Sequence, residues 1–144
     1  MEDDLFYDTS VLVYAFDSSD VKKHETCVNM IDEIVSSGRR AFISNQILGE
    51  LFSVLTESIS IPIEKSLASE IINDFVAAKS WVKFNYTYNT VRNAAKASDE
   101  YRMPFWDSLI VETMKENGIN AIVTENVKHF KRANGIKIVN PFEK

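Results

Sequence analysis

Three carboxylates in this chain stand where a folded protein would ordinarily put apolar groups or caps: Asp8, Glu50 and Asp107. Asp107 lies in Arg102-Met103-Pro104-Phe105-Trp106-Asp107-Ser108-Leu109-Ile110-Val111. A proline favours the first turn of a helix. With a start near Pro104, Asp107, Ile110, Val111 and Met114 fall at i, i+3, i+4 and i+7, which puts the acid on the face turned to the interior. An unpaired buried carboxylate costs several kcal/mol, so it needs a cation, a hydrogen-bonding shell or a proton. The competing reading is a first-turn acid facing the helix dipole in solvent. Glu50 repeats the pattern, because Ile47, Glu50, Leu51, Val54 and Leu55 share one helical arc. Asp8 follows the apolar run Leu5-Phe6-Tyr7 and is either a helix cap or an acid at the carboxyl end of a strand, where ligands gather in open α/β sheets. Glu125 and Asn126 follow a second such strand.

Acids held close together repel one another and need raised pKa values or a bound cation. Oxygen-only donors suit Mg²⁺ or Mn²⁺, whereas zinc recruits His or Cys, and His24 and His129 have no ligand-like spacing. Phosphodiester hydrolysis is the chemistry most at home in such a site. The sequence offers no Ser-His-Asp or Cys-His arrangement and no glycine-rich phosphate loop, which argues against covalent catalysis and nucleotide-dependent phosphoryl transfer.

The elements that must bring these residues together alternate along the chain. Strands are expected at residues 5–7, 41–44, 81–84, 121–124 and 136–139. Helices are expected over 11–16, 21–37 with Gly38 as its stop, a third that Ser44 or Asn45 caps and that carries Glu50, 63–78 after the break at Ile59-Ser60-Ile61-Pro62, 87–101, and the Asp107 helix ending at Asn117-Gly118. This order predicts an α/β fold, a three-layer α/β/α sandwich around a parallel central sheet of about four or five strands. Right-handed crossovers would carry Asp8, Glu50, Asp107 and the Glu125-Asn126 pair to one edge of the sheet. The aromatic group Trp81, Phe84, Tyr86 and Tyr88 reads as strand-edge packing or an oligomer contact more readily than as a base-stacking platform, since no basic pairs are interleaved with it.

At 144 residues and 45% hydrophobic, the chain has enough apolar content for one substantial core and is expected to be one domain over residues 1–144. No apolar run approaches the roughly 18 to 20 residues of a membrane span, and the acidic start Met1-Glu2-Asp3-Asp4 resembles no targeting sequence, so a cytoplasmic location is expected. The lone Cys27 reads as a packing residue. A net charge of −5 argues against a broad basic nucleic-acid surface but not against a cation-filled acidic site. Lys22, Lys23, Arg39, Arg40, Arg102, Lys128, Lys131 and Arg132 are the local groups available for phosphates, and none is singled out as an RNA contact.

Taken together, Asp8-Thr9-Ser10-Val11-Leu12, Glu50 in Leu48-Gly49-Glu50-Leu51, Phe105-Trp106-Asp107-Ser108-Leu109-Ile110, and Thr124-Glu125-Asn126 with Phe130 and Val139-Asn140-Pro141 resemble a PIN domain, close to the VapC-type toxins, across essentially the whole chain. The resemblance implies a single PIN-like domain acting as an Mg²⁺- or Mn²⁺-dependent endoribonuclease on single-stranded RNA, leaving 5′-phosphate and 3′-hydroxyl ends. It also implies a homodimer that is silenced by a small antitoxin protein. Carried over by position, Asp8 and Asp107 would ligate the metal and Glu50 would act through water or orient the nucleophile. Ser10 and Thr124 would support them. The fourth position departs from the pattern: Asn126 stands where many members have Asp, and Glu125 could substitute for it. The alternatives are a non-catalytic RNA- or protein-binding scaffold, a housekeeping RNA-processing nuclease and, less favoured, a DNA nuclease.

Overall fold

A computed structural model describes residues 4–143, so Met1-Glu2-Asp3 of the acidic start lie outside it. Five strands form one sheet in the order β3-β2-β1-β4-β5, with β1 Phe6–Tyr7, β2 Ala41–Ser44, β3 Trp81–Phe84, β4 Ala121–Val123 and β5 Lys137–Val139. Every pairing is parallel. Helices cover both faces in a three-layer α/β/α sandwich, as the alternation of elements requires: α1 Thr9–Leu12, α2 Val21–Ser37, α3 Asn45–Glu57, α4 Lys65–Ala77, α5 Tyr88–Tyr101, α6 Phe105–Glu116 and α7 Val127–Phe130.

The central strands are buried on both faces, and Phe6, Ile43, Ala121 and Ile122 are fully shielded. Leu12, Ile34, Leu51, Leu55, Ile110 and Met114 pack onto them from the helices. Each such side chain stabilises the fold by about 1.5–3 kcal/mol on burial. The aromatics of β3 serve packing: Trp81 meets Tyr7 and Phe75 edge-on at 5.4 and 5.1 Å, and Phe84 stacks on Phe42 at 5.5 Å. Tyr88, by contrast, is exposed.

Local chemistry sets the ends. Ser44 caps α3 by accepting from the Ile47 amide, and Gly38 and Gly118 take the left-handed conformation that stops α2 and follows α6. Thr87 and Thr90 form a reciprocal capping box at the start of α5. Several expected bounds shift, most of them by a single residue at strand or helix ends, and three shifts bear on the site or its frame. The helix expected over 11–16 begins at Thr9 and tightens into a 3-10 turn over Val13–Ala15. Helix α4 begins at Lys65 because the Ile63 amide is drawn to the Leu55 carbonyl, 2.8 Å away, inside the preceding turn. Pro104 stands just before α6 as its N-cap, in extended geometry, so Phe105 opens the helix. Among the described residues no helix is long and apolar enough to cross a membrane.

Candidate active site

Asp8 sits at the carboxyl end of β1, the middle strand. Its amide extends the ladder by donating to Val123 at 3.0 Å, and the register Tyr7↔Val123 sets Thr124 beside it. The hydroxyls of Thr124 and Ser10 both donate to Asp8 Oδ2 at 2.8 Å. Each hydroxyl also accepts a backbone amide, Ser10 from Glu125 at 3.1 Å and Thr124 from Asn126 at 3.0 Å. The turn after β4 is thereby tied to the carboxylate of β1. Burial pushes the Asp8 carboxyl up, against the pull of the two hydroxyls.

Glu50 reaches the same place from α3. Its Oε1 accepts from Thr9 at 3.1 Å and its Oε2 from Gln46 at 3.3 Å. The Gln46 amide also donates to the Trp106 carbonyl at 3.0 Å, linking α3 to the first turn of α6, while Gln46 Oε1 is buried with no hydrogen-bond partner among the described residues. Burial, then the charges of Asp8 and Asp107, raise the Glu50 carboxyl. Asp107 is a first-turn acid of α6, so part of the solvent reading holds, but its side chain is only 18% exposed. His129 Nδ1 lies 2.9 Å from its Oδ2. Burial and Asp8 raise the Asp107 carboxyl, and His129 opposes them.

Asp8, Glu50, Asp107 and Asn126 line one cavity of about 360 Å³, walled by Val13, Ser53 and Val54. Four of the positions picked out in the sequence therefore meet. Glu125 does not join them: Tyr14 donates to its Oε1 at 2.8 Å, and the Lys23 ammonium pairs with its Oε2. Lys23 also lies over the rings of Tyr14 and Phe142, 5.3 and 5.4 Å from their centroids. Among the described residues, no basic side chain lines the cavity. Arg40 lies over Phe42, and Arg132 donates to the Arg102 carbonyl.

Sequence reasoning missed Thr9, Gln46 and His129. Gln46 carried a signal, since it precedes Glu50 by four residues and so shares its helical face. Thr9 carried a weaker one, next to Asp8. His129 carried none, because its contact with Asp107 spans 22 residues and a change of element.

The chain belongs to the PIN domain family. The family's model matches residues 5–136. No curated protein matches the sequence with significance. Similar solved structures include VapC20 of Mycobacterium tuberculosis, a sarcin-ricin loop cleaving toxin, with a TM-score of 0.70, 18% identity and coverage of 92% of this PIN domain chain and 97% of that one. DNA-bound VapBC from Salmonella typhimurium matches with a TM-score of 0.67 and 18% identity, covering 97% and 99%. VapBC2 from Rickettsia felis, bound to a fragment of promoter DNA, matches with a TM-score of 0.68 and 18% identity, covering 94% and 97%. At these identities the likeness is one of fold.

The donor set of this PIN domain is all oxygen, three carboxylates and one amide, which is the chemistry of a hard divalent cation. Among the described residues, no three His, Cys, Asp or Glu side chains are grouped so that they could hold an ion between them. Each carboxylate has an oxygen claimed by a hydroxyl, an amide or an imidazole. Such a set fits a cation that keeps several of its waters and takes one or two carboxylates directly, the usual habit of Mg²⁺.

Proposed function

We propose that this PIN domain is an Mg²⁺- or Mn²⁺-dependent endoribonuclease that hydrolyses phosphodiester bonds in single-stranded RNA, and that it is the toxin of a toxin–antitoxin pair. The observation that carries the reading is the convergence of Asp8, Glu50 and Asp107 on one cavity, with the carboxyl of each raised. Evolution rarely retains crowded, half-buried acids for stability, because they oppose folding unless a cation joins them. Asp8 and Asp107 are assigned as direct ligands, with Asn126 as a neutral oxygen donor. A divalent cation supplies, when bound, a water of lowered pKa as nucleophile and neutralisation of charge on the phosphoryl group. Glu50, held by Thr9 and Gln46, orients the attacking water and accepts its proton. Ser10 and Thr124 fix Asp8 so that its carboxylate needs no reorganisation.

The toxin assignment draws on the VapC and VapBC proteins whose fold it shares, and it carries with it a small antitoxin partner, a homodimer and a cytoplasmic setting. A second reading, a non-catalytic RNA- or protein-binding scaffold, is favoured by the uncharged Asn126 and by the diversion of Glu125 to Tyr14 and Lys23. Cleavage of end-labelled single-stranded RNA decides between them. The nuclease reading expects Mg²⁺-stimulated cleavage that EDTA stops and that Asp107→Asn lowers by at least about 100-fold with an unchanged circular dichroism spectrum. RNA that is bound but left intact in saturating Mg²⁺ and Mn²⁺ would establish the scaffold.

A further inference from the structure

The pattern of acids gave this site a weak fourth position, yet a side chain that the pattern did not pick out touches one of its carboxylates. Helix α7 is a single turn that starts immediately after Asn126. Its register is set from below by Phe130, which is fully buried in the core. The neighbouring residue, His129, is consequently turned toward α6, and its half-exposed ring meets Asp107 with Nδ1 2.9 Å from Oδ2. An ionised carboxylate only accepts hydrogen bonds, so the proton of this contact lies on Nδ1 and the imidazole donates.

Asp107 differs from its two companions in how it is held. Asp8 is fixed by hydroxyls from its own helix and the adjoining strand end, and both oxygens of Glu50 are claimed from α1 and α3. At Asp107 the imidazole supplies the side-chain donor, and it comes from a different element, the α7 turn. An aspartate pivots freely about its terminal torsion unless something grips one oxygen. Gripping Oδ2 turns the other oxygen in a fixed direction.

We propose that His129 is a positioning residue of the metal site, holding Asp107 Oδ2 through Nδ1–H so that Asp107 offers a divalent cation its other oxygen alone. This rests on the metal-dependent reading given above. It assigns a part to the residue three places beyond Asn126, and makes the α7 turn, through Asn126 and His129, a contributor to metal affinity although it brings no acid.

Isothermal titration with Mn²⁺ alone, on the full chain, separates the two ring nitrogens. His129→Ala is expected to weaken Mn²⁺ binding by about 10-fold or more, in the range for outer partners of metal ligands. His129→Asn sets an amide N–H close to the position of Nδ1 and is expected to stay within about threefold of wild type, whereas His129→Gln, whose amide falls nearer Nε2, should behave like the alanine variant. RNA cleavage in His129→Ala should recover as Mn²⁺ is raised, and cleavage in Asp107→Asn should not. Wild-type affinity in His129→Ala, or equal affinities in the Asn and Gln variants, would overturn the proposal while leaving the nuclease reading intact. A wild-type chain that binds no Mn²⁺ would remove both. Should the alanine variant fail to fold, the contrast between Asn and Gln still decides.

Discussion

Glu50→Gln is expected to make the metal-free protein more stable while disabling it. The geometry accommodates the amide: its oxygen can face the Gln46 NH₂ and its own NH₂ can face Thr9, whose hydroxyl rotates from donor to acceptor. Two hydrogen bonds to a charged acceptor become neutral ones, a loss of about 1 kcal/mol each. Against this, removing the charge relieves the desolvation and the repulsion from Asp8 and Asp107 that raise this carboxyl, roughly 3 kcal/mol once the several kcal/mol of a fully buried ion are discounted for solvent screening of a partly buried group. The balance is a gain of about 1 kcal/mol, or roughly 4 °C in Tm for a chain of this size.

The pH dependence of that gain follows from linkage. Because the Glu50 carboxyl is raised above its ordinary 4.5, the native protein keeps this proton to higher pH than the unfolded chain. The wild type therefore loses stability as pH rises from 4.5 through the raised folded value. Thermal melts in EDTA should show the gap between variant and wild type at pH 7.5 and its near disappearance, to about 1 °C, at pH 4. Saturating Mg²⁺ should reverse it at pH 7.5 by stabilising the wild type more than the variant, by up to about 2.7 kcal/mol at 100 times the dissociation constant. Equal melting temperatures at pH 7.5 in EDTA, or a gap that persists at pH 4, would refute the reasoning that crowded charge opposes this fold.

Three further outcomes are expected. Asn126→Asp adds a fourth charge to the cavity, so it should lower the metal-free Tm by about 4 °C and tighten Mn²⁺ binding by about 10-fold, read by melting and titration calorimetry. Glu125→Gln should leave Mn²⁺ affinity within about twofold of wild type and cost no more than about 1 kcal/mol in urea denaturation, because its carboxylate serves partly exposed contacts with Tyr14 and Lys23. Cys27, fully buried and donating to the Val11 carbonyl at 3.1 Å, has its thiol pushed up to about 11, so alkylation by iodoacetamide at pH 8 should be slowed about 100-fold relative to the unfolded chain, as mass spectrometry can measure.

The sheet was legible because its signals are local. Short apolar runs closed by Asp8, Ser44 and Thr124 became strands, and Gly38, Ser44 and Thr87 marked helix ends through chemistry confined to a few residues. The convergence of Asp8, Glu50 and Asp107 was legible for a related reason: a charge inside an apolar arc must face the interior, and parallel topology sends strand ends to one edge. What stayed hidden depends on a rotation or on distance in the chain. Glu125 and Asn126 are adjacent, and which one enters the cavity turns on the backbone at the end of β4, fixed by amides bonded to Ser10 and Thr124. The His129 contact arises only when a one-turn helix docks against α6, and no spacing announces it.

The cavity consequently has one stiff wall and one pliant wall. Asp8 hangs from the innermost strand, where its amide is bonded into the ladder, so exposing that amide to exchange with deuterated water requires opening the whole sheet. Asn126 and His129 ride on four residues of helix anchored by Phe130, a unit too short to be cooperative by itself. Protection factors should accordingly fall steeply from Asp8 to the turn that follows Asn126, on opposite sides of the same fold edge. That gradient would let the loosely held side yield to an incoming strand while the carboxylate opposite keeps its place.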